Sequence, residues 1–460
     1  MKGNNMKKTV ALVLGGTMVI SSLTGCSGGS DASKAAPADT SATEKAAGAQ
    51  ESGKKGGNVT WWTWSTEATE AFAKQIEFAK EQNPELNVDI QYTSNADYWT
   101  KLPVAIAGGT GPDIYQMTRP SFELYAASNQ TMDLTAAVEN SSVLKGYFDS
   151  LDPAVKEAYI FDGKIMGIPI TVEATAVAYN KDIFKAAGLP DPQELEDTWT
   201  WDDVREIANK LTLKNDKGET EQYGFYAAAE RIPTWEMLWA HGYEMFDESR
   251  ETCLLDDPGI AEALQPLVDM HLVDGVSPTV DVVTQTSGDD MFISGKIAMI
   301  PAGIWKVPSY NNITTFEWDV VELPFDESTH KRVSSSNILG LMVNPNTKNF
   351  DATIALLEEL VKPECCAILA DTHTYIPALE SARAGYFEGD VPDNIIAYKN
   401  ALSYIHPNTL TQYIPYSQFA QEYEECLRRA YKGEMTMADS LKAASDKINA
   451  IMQENKAQFE

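Results

Sequence analysis

The chain has 460 residues, with 36 basic against 67 acidic side chains and a formal net charge of −31. A hydrophobic share of 43% supplies sizeable cores and excludes a mainly disordered chain. At about 100–200 residues per domain, the length predicts two to four domains or lobes. So acidic a surface repels phosphate backbones and anionic lipid, and no basic tract interrupts it, which excludes general nucleic-acid binding. Five cysteines are too few for a dense disulfide scaffold.

Residues 1–25 read as a secretion signal. Lys2, Lys7 and Lys8 make a basic start, and a mostly apolar run follows from Val10 to Leu23. At about 14 residues that run is too short to cross a bilayer core of about 30 Å as a helix. Its end, Leu23-Thr24-Gly25-Cys26, resembles the lipobox of bacterial lipoproteins. The resemblance implies cleavage before Cys26 and a diacylglycerol with palmitate-type chains on its thiol. Two acyl chains anchor a protein stably where one does not. Residues 26–57 are rich in Gly, Ser, Ala, Thr and Lys and have nothing large to bury. They predict a disordered tether spanning about 30 Å r.m.s.. Cys253, Cys365, Cys366 and Cys426 read as buried thiols, and no other segment approaches 18 apolar residues.

The body alternates strand and helix patterns. Val59 to Trp64 is a β-branched and aromatic strand, and Thr66 to Gln82 is a helix with Phe72, Ile76 and Ala79 on one stripe, stopped by Asn83-Pro84. Val88 to Tyr92 is a strand, Tyr98 to Gly108 a helix, and Asp113 to Met117 a strand. That order implies a parallel sheet, with ligands outside the carboxyl ends of its strands. Ile297 to Pro301, Phe316 to Leu323 and Ile338 to Val343 are strands, and Ala352 to Val361 is a helix expected to be capped by Asp351. Met437, Leu441, Ala444, Ile448 and Ile451 stripe a C-terminal helix, with Thr436 and Asp439 as an acidic capping box.

Five segments, in order, carry a family resemblance: AIAGGTGPDIY from Ala105, YIFDGKIMGIPI from Tyr159, VEATAVAYNKDIF from Val172, TWDD in the segment Trp199 to Asp203, and FISGKIAMIPAGIW from Phe292. The chain resembles the extracellular solute-binding proteins of carbohydrate ABC transporters, the family that includes maltose-binding protein. The resemblance covers about Val59 to Gln453. It implies an α/β, two-lobed periplasmic-binding-protein-like fold of type II. Each lobe would be a mainly parallel sheet flanked by helices, and three hinge segments would cross near Glu173, Asn337 and Tyr375. The first lobe would combine 58–172 with 338–374, and the second 175–336 with 376–456.

A sugar site needs aromatic plates for ring faces and carboxylates, amides or Arg for hydroxyls. Trp305 follows a strand and a Gly303 turn, and it resembles the family's sugar-stacking Trp. Glu173 matches the hinge-strand glutamate that faces the family's cleft. Trp64, with Ser65 and Glu67, ends the first strand, whereas Trp61 and Trp62 read as core. Thr118 and Arg119 follow the third strand, although the family's acidic–basic pair is not kept cleanly there. Trp99 is a candidate for the rim but reads as core. Glu230, Arg231, Trp235 and Trp239 cluster at the start of WAHGYEMF, whose first residue is Trp239. The i, i+4 spacing of the two tryptophans puts both on one helix face, one expected in the cleft and the other in the core. Asn337 and Tyr375 lie at the second and third crossings.

Neither a nucleophile elbow, a phosphate-loop lysine motif nor His-Glu-x-x-His is present, and the five histidines are scattered. The expectation is a non-enzymatic, carbohydrate-binding lipoprotein without cofactor or metal. It would be monomeric, held on the outer face of the cell membrane of a Gram-positive type cell, and would pass an oligosaccharide to ABC permease subunits by lobe closure. The acidic balance keeps a polyamine open as an alternative ligand. A surface glycoside hydrolase, built on two facing carboxylates, is the rival from another class.

Overall fold

A computed structural model of the chain describes residues 56–388 and 392–457. The signal, the Cys26 lipobox and nearly all of the tether lie outside the described residues. The first sheet has five strands in the order Leu86–Tyr92, Gly57–Thr63, Ile114–Met117, Gly340–Val343, Ile168–Pro169. Its first three strands are parallel, as strands linked by helices Thr69–Gln82 and Asn95–Ala107 must be. Gly340–Val343 is antiparallel to both of its neighbours. The second sheet has Thr175–Asn180 between Met299–Gly303 and Trp318–Val321, and both pairings are antiparallel. The parallel pattern expected of both lobes thus holds only for the opening strands of the first. Thr175–Asn180 enters the second sheet from the first, against the direction of strands arriving from within the second lobe.

Alternation along Thr175–Asn180 makes this sheet two-sided. Val177 and Tyr179 pack into one apolar cluster, and Ala176 and Ala178 pack into another that continues through the first sheet. Helices Pro258–Leu272, Tyr416–Tyr431 and Met437–Lys456 pack together around the Val177 side. Thr436 caps the last helix, but the expected capping box is not closed, because the Asp439 carboxylate accepts from the Thr436 hydroxyl rather than from its backbone N–H. Its hydroxyl accepts from Asp439 N–H at 3.0 Å and donates to the Asp439 carboxylate at 2.8 Å. The Phe350–Leu360 helix starts two residues before the segment expected, so Asp351 lies inside its first turn and its N-cap is Asn349. All four described cysteines are buried free thiols.

The chain passes between the sheets at Pro169–Thr175 and again between Val321 and Gly340. Thr171–Val172 pairs antiparallel with Ile376–Pro377. Beside them, Ser334–Ser336 presents hydroxyls where backbone groups would normally pair. Ser336 Oγ accepts from Glu173 N–H at 3.0 Å, and Ser334 Oγ accepts from Thr175 N–H at 2.8 Å. Ser335 donates to the buried Glu236 carboxylate at 2.5 Å. After Tyr375 the chain stays with the first sheet's helices, because Glu380–Ala382 and Ala384–Phe387 pack on Pro363–Asp371. Arg383 fixes this return, donating to Pro377 O at 2.9 Å and to Asp152 at 3.0 Å. The first element after it on the second sheet is Ile396–Ala401, so the third passage ends later than residue 376.

Candidate functional site

Strand ends from both sheets converge on one cleft. Trp64 and Glu67 follow Gly57–Thr63, and Thr118 and Pro120 follow Ile114–Met117. Glu173, Asn337 and Tyr375 come from the passages between the sheets, and Arg231, Trp305, Lys306 and Tyr416 come from the second side. Together they line a cavity of about 540 Å³. Cavities of about 440 and 360 Å³ adjoin it, and among the described residues Trp305 alone lines all three. Such volumes lie in the range of small-molecule sites.

Trp305 can sit there because residue 303 is glycine. A Cβ at Gly303 would stand 2.0 Å from the Trp305 ring, so any side chain would push the indole out of place. The Arg231 guanidinium lies 5.6 Å from the Trp305 ring centroid, within cation–π range. Arg231 donates to Asn337 Oδ1 at 3.2 Å, and Asn408 donates to the same oxygen at 2.8 Å. Trp64 is held by Tyr98 and Trp99, with ring centroids 5.0 and 5.2 Å away. Trp99, read from sequence as core, is half-buried and lines the cavity.

Glu173 is the buried acid of the cleft. It is 7% exposed, and its Oε2 has no hydrogen-bond partner among the described residues. Burial pushes its carboxyl above the ordinary range, while Arg231 and Asn337 pull it back. Tyr375 donates to Ser65 Oγ at 2.8 Å and also contacts the Glu67 carboxylate. Ser65 in turn donates to Gln116 Oε1 at 2.9 Å. Ser65 is therefore fully buried behind Tyr375 and supports the wall without lining it.

Several sequence candidates sit elsewhere. Arg119 does not face the cleft. It occupies the first turn of helix Arg119–Ala127 and is buried against Glu123, one helical turn on. Glu123 is shared with Arg250 of the second side at 2.7 Å. Only the backbone of Arg119 reaches the site, donating to Asn337 O at 2.9 Å. Trp235 and Trp239 are both core residues. Trp235 packs on Phe419 and Tyr423, and Trp239 stacks on His406 with centroids 3.8 Å apart. Their shared helix face points into the second core, so neither is a plate. Glu230 lines the 360 Å³ cavity with Asp289 and Glu424 and is absent from the main one. Burial, then the two neighbouring carboxylates, raise its pKa. Sequence analysis missed Lys306, Tyr416 and Asn95. Lys306 was legible as the neighbour of Trp305, whereas Tyr416 reaches the cleft from a distant helix with no local signal.

The family profile of bacterial extracellular solute-binding proteins matches residues 76–399. The chain belongs to that family, a class of extracytoplasmic binding proteins. Over 392 residues it is 22% identical to the sn-glycerol-3-phosphate-binding periplasmic protein UgpB of Escherichia coli, covering 81% of this chain and 86% of that one. Over 238 residues it is 24% identical to the maltotriose-binding protein of Pyrococcus abyssi, covering 52% and 47% of the two. The chain spans about half the length of the first curated relatives it matches. Among solved structures, the ABC substrate-binding protein Lmo0181 of Listeria monocytogenes, in complex with cycloalternan, superposes with a TM-score of 0.76. It is 24% identical and covers 87% of this chain and 100% of that one. That likeness establishes the two-lobed fold.

Proposed function

We propose that this chain is the receptor of an ABC importer and captures a neutral oligosaccharide in the cleft at Trp305. The observation that carries this is that two tryptophan plates, Trp64 and Trp305, line one cavity with Glu173, whose Oε2 has no partner among the described residues. Plates take the apolar faces of sugar rings, and Glu173, Arg231, Asn337 and Lys306 take hydroxyls. The adjoining 540 and 360 Å³ cavities give room for more than one ring. The names of the maltotriose-binding relative and of the cycloalternan-bound structure support the same ligand class. The cavity walls carry Glu67, Glu173, Glu230, Asp289 and Glu424 against Arg231 and Lys306, which disfavours an anion such as glycerol phosphate. The same excess of acids makes a polyamine the second reading.

Contacts to both lobes at once favour the closed over the open form. Closure joins the two lobes into the surface a permease reads, and no catalytic step is part of the mechanism. Cys26 carries the lipid that holds the protein to the outer membrane face, and Cys26→Ala releases it from membranes. The ligand class is tested by thermal unfolding of residues 58–460 against mono- and oligosaccharides, spermidine and sn-glycerol 3-phosphate. A ligand at about 100 times its Kd adds about 2.7 kcal/mol. A shift with a glycan alone supports the proposal. A shift with spermidine or glycerol phosphate alone overturns it.

A further inference from the structure

The 440 Å³ cavity differs in chemistry from its neighbours. Half of its lining is apolar or aromatic, namely Trp305, Val307, Pro308, Tyr375, Tyr386 and Ile395, and most of the polar half, which includes Ser309 and Asn311, is already bonded within the protein. Glu67 is engaged by the Tyr375 hydroxyl. His373 Nε2 lies 3.0 Å from Glu388 O. Thr372 is bonded to Ile368 O at 2.7 Å and to Thr374 at 2.9 Å. A sugar entering this space would lose water from its hydroxyls and find most partners already taken, at a net cost. The 360 Å³ cavity, also lined by Trp305, carries Glu230, Arg231, Asp289, Lys306 and Glu424, a wall suited to hydroxyls. Trp305 therefore borders one cavity rich in charged groups and one rich in aromatic groups.

We propose that the 440 Å³ cavity is a subsite for the aryl aglycone of a glycoside whose sugar rings occupy the adjoining cleft. Three aromatic side chains on its wall favour a flat ring over an alkyl chain. The proposal rests on the carbohydrate reading and extends it from free sugars to aryl glycosides.

The test is calorimetric titration of matched methyl and 4-nitrophenyl glycosides of glucose, maltose and mannose. For the sugar that binds, the aryl member is expected to bind about tenfold tighter, from the apolar area it buries. Ser309→Trp fills the cavity from an exposed wall position. It should abolish the aryl gain and leave the methyl glycoside within about twofold of its original Kd. Pro308→Asp, which charges the same exposed wall, gives the same result by a different change. Equal affinity within a pair, or an aryl gain that survives both variants, overturns this inference and leaves the carbohydrate reading intact. Failure of every methyl and aryl glycoside to bind overturns both.

Discussion

Replacing Trp305 by alanine removes the plate on which all three cavities meet. A sugar face laid on an indole takes roughly 80 Å² of apolar surface out of water, worth about 2 kcal/mol at about 25 cal/mol per Å². Arg231, 5.6 Å from the ring centroid, loses its platform as well, a further loss of about 0.5–1 kcal/mol. Together these predict about a 100-fold weaker Kd. The side chain is only half-buried, so the fold should lose about 1–2 kcal/mol, a few degrees in Tm. Titration calorimetry with the glycan that stabilises the protein, beside a thermal scan of both proteins, separates the two effects. An unchanged Kd would refute the placement of the ligand. A Tm loss of tens of degrees would show that Trp305 is a core residue after all.

Trp235→Ala should do the reverse, costing about 3–5 kcal/mol of stability in urea unfolding while the folded protein keeps its Kd. Glu123→Ala strands the buried Arg119 without its counter-ion, at about 3–5 kcal/mol. Arg250→Ala removes only the exposed arm of the same cluster and should cost much less, which urea midpoints will order. Glu236 is buried, and desolvation raises its pKa above 4.5. The folded state therefore holds this proton more tightly than the unfolded chain. That stabilisation is full below pH 4.5 and fades as pH rises through the folded value. Glu236→Gln cannot titrate, so its stability relative to the parent should improve as pH rises above 4.5 and level off once pH passes the folded value, as urea midpoints across pH will show.

Much of this site was legible because the strand-end rule and the family resemblance both act on local sequence. Trp64, Thr118 and Trp305 each follow a strand that patterning alone locates, and each lines the cleft. Glu173, Asn337 and Tyr375 were legible from their place at the passages. The misplacements have one physical cause. Spacing says which side chains share a helix face, but not what covers that face. Trp235 and Trp239 share a face, and Phe419, Tyr423 and His406 cover it, all from segments more than 160 residues away. Arg119 stands at the right strand end, yet Glu123 one turn later gives it a closer partner than any ligand. The sheet direction of the second lobe was hidden for a similar reason. Strand order depends on where the chain re-enters a sheet, which no segment encodes by itself.

A neutral oligosaccharide is proposed to bind against Trp64 and Trp305. The most direct test is titration calorimetry of the purified body with neutral trisaccharides, with spermidine and sn-glycerol 3-phosphate run alongside. The expected result is saturable one-to-one binding of a trisaccharide that Trp305→Ala weakens about 100-fold, and silence from the two charged ligands. Binding of either charged ligand, with no response to any glycan, would contradict it.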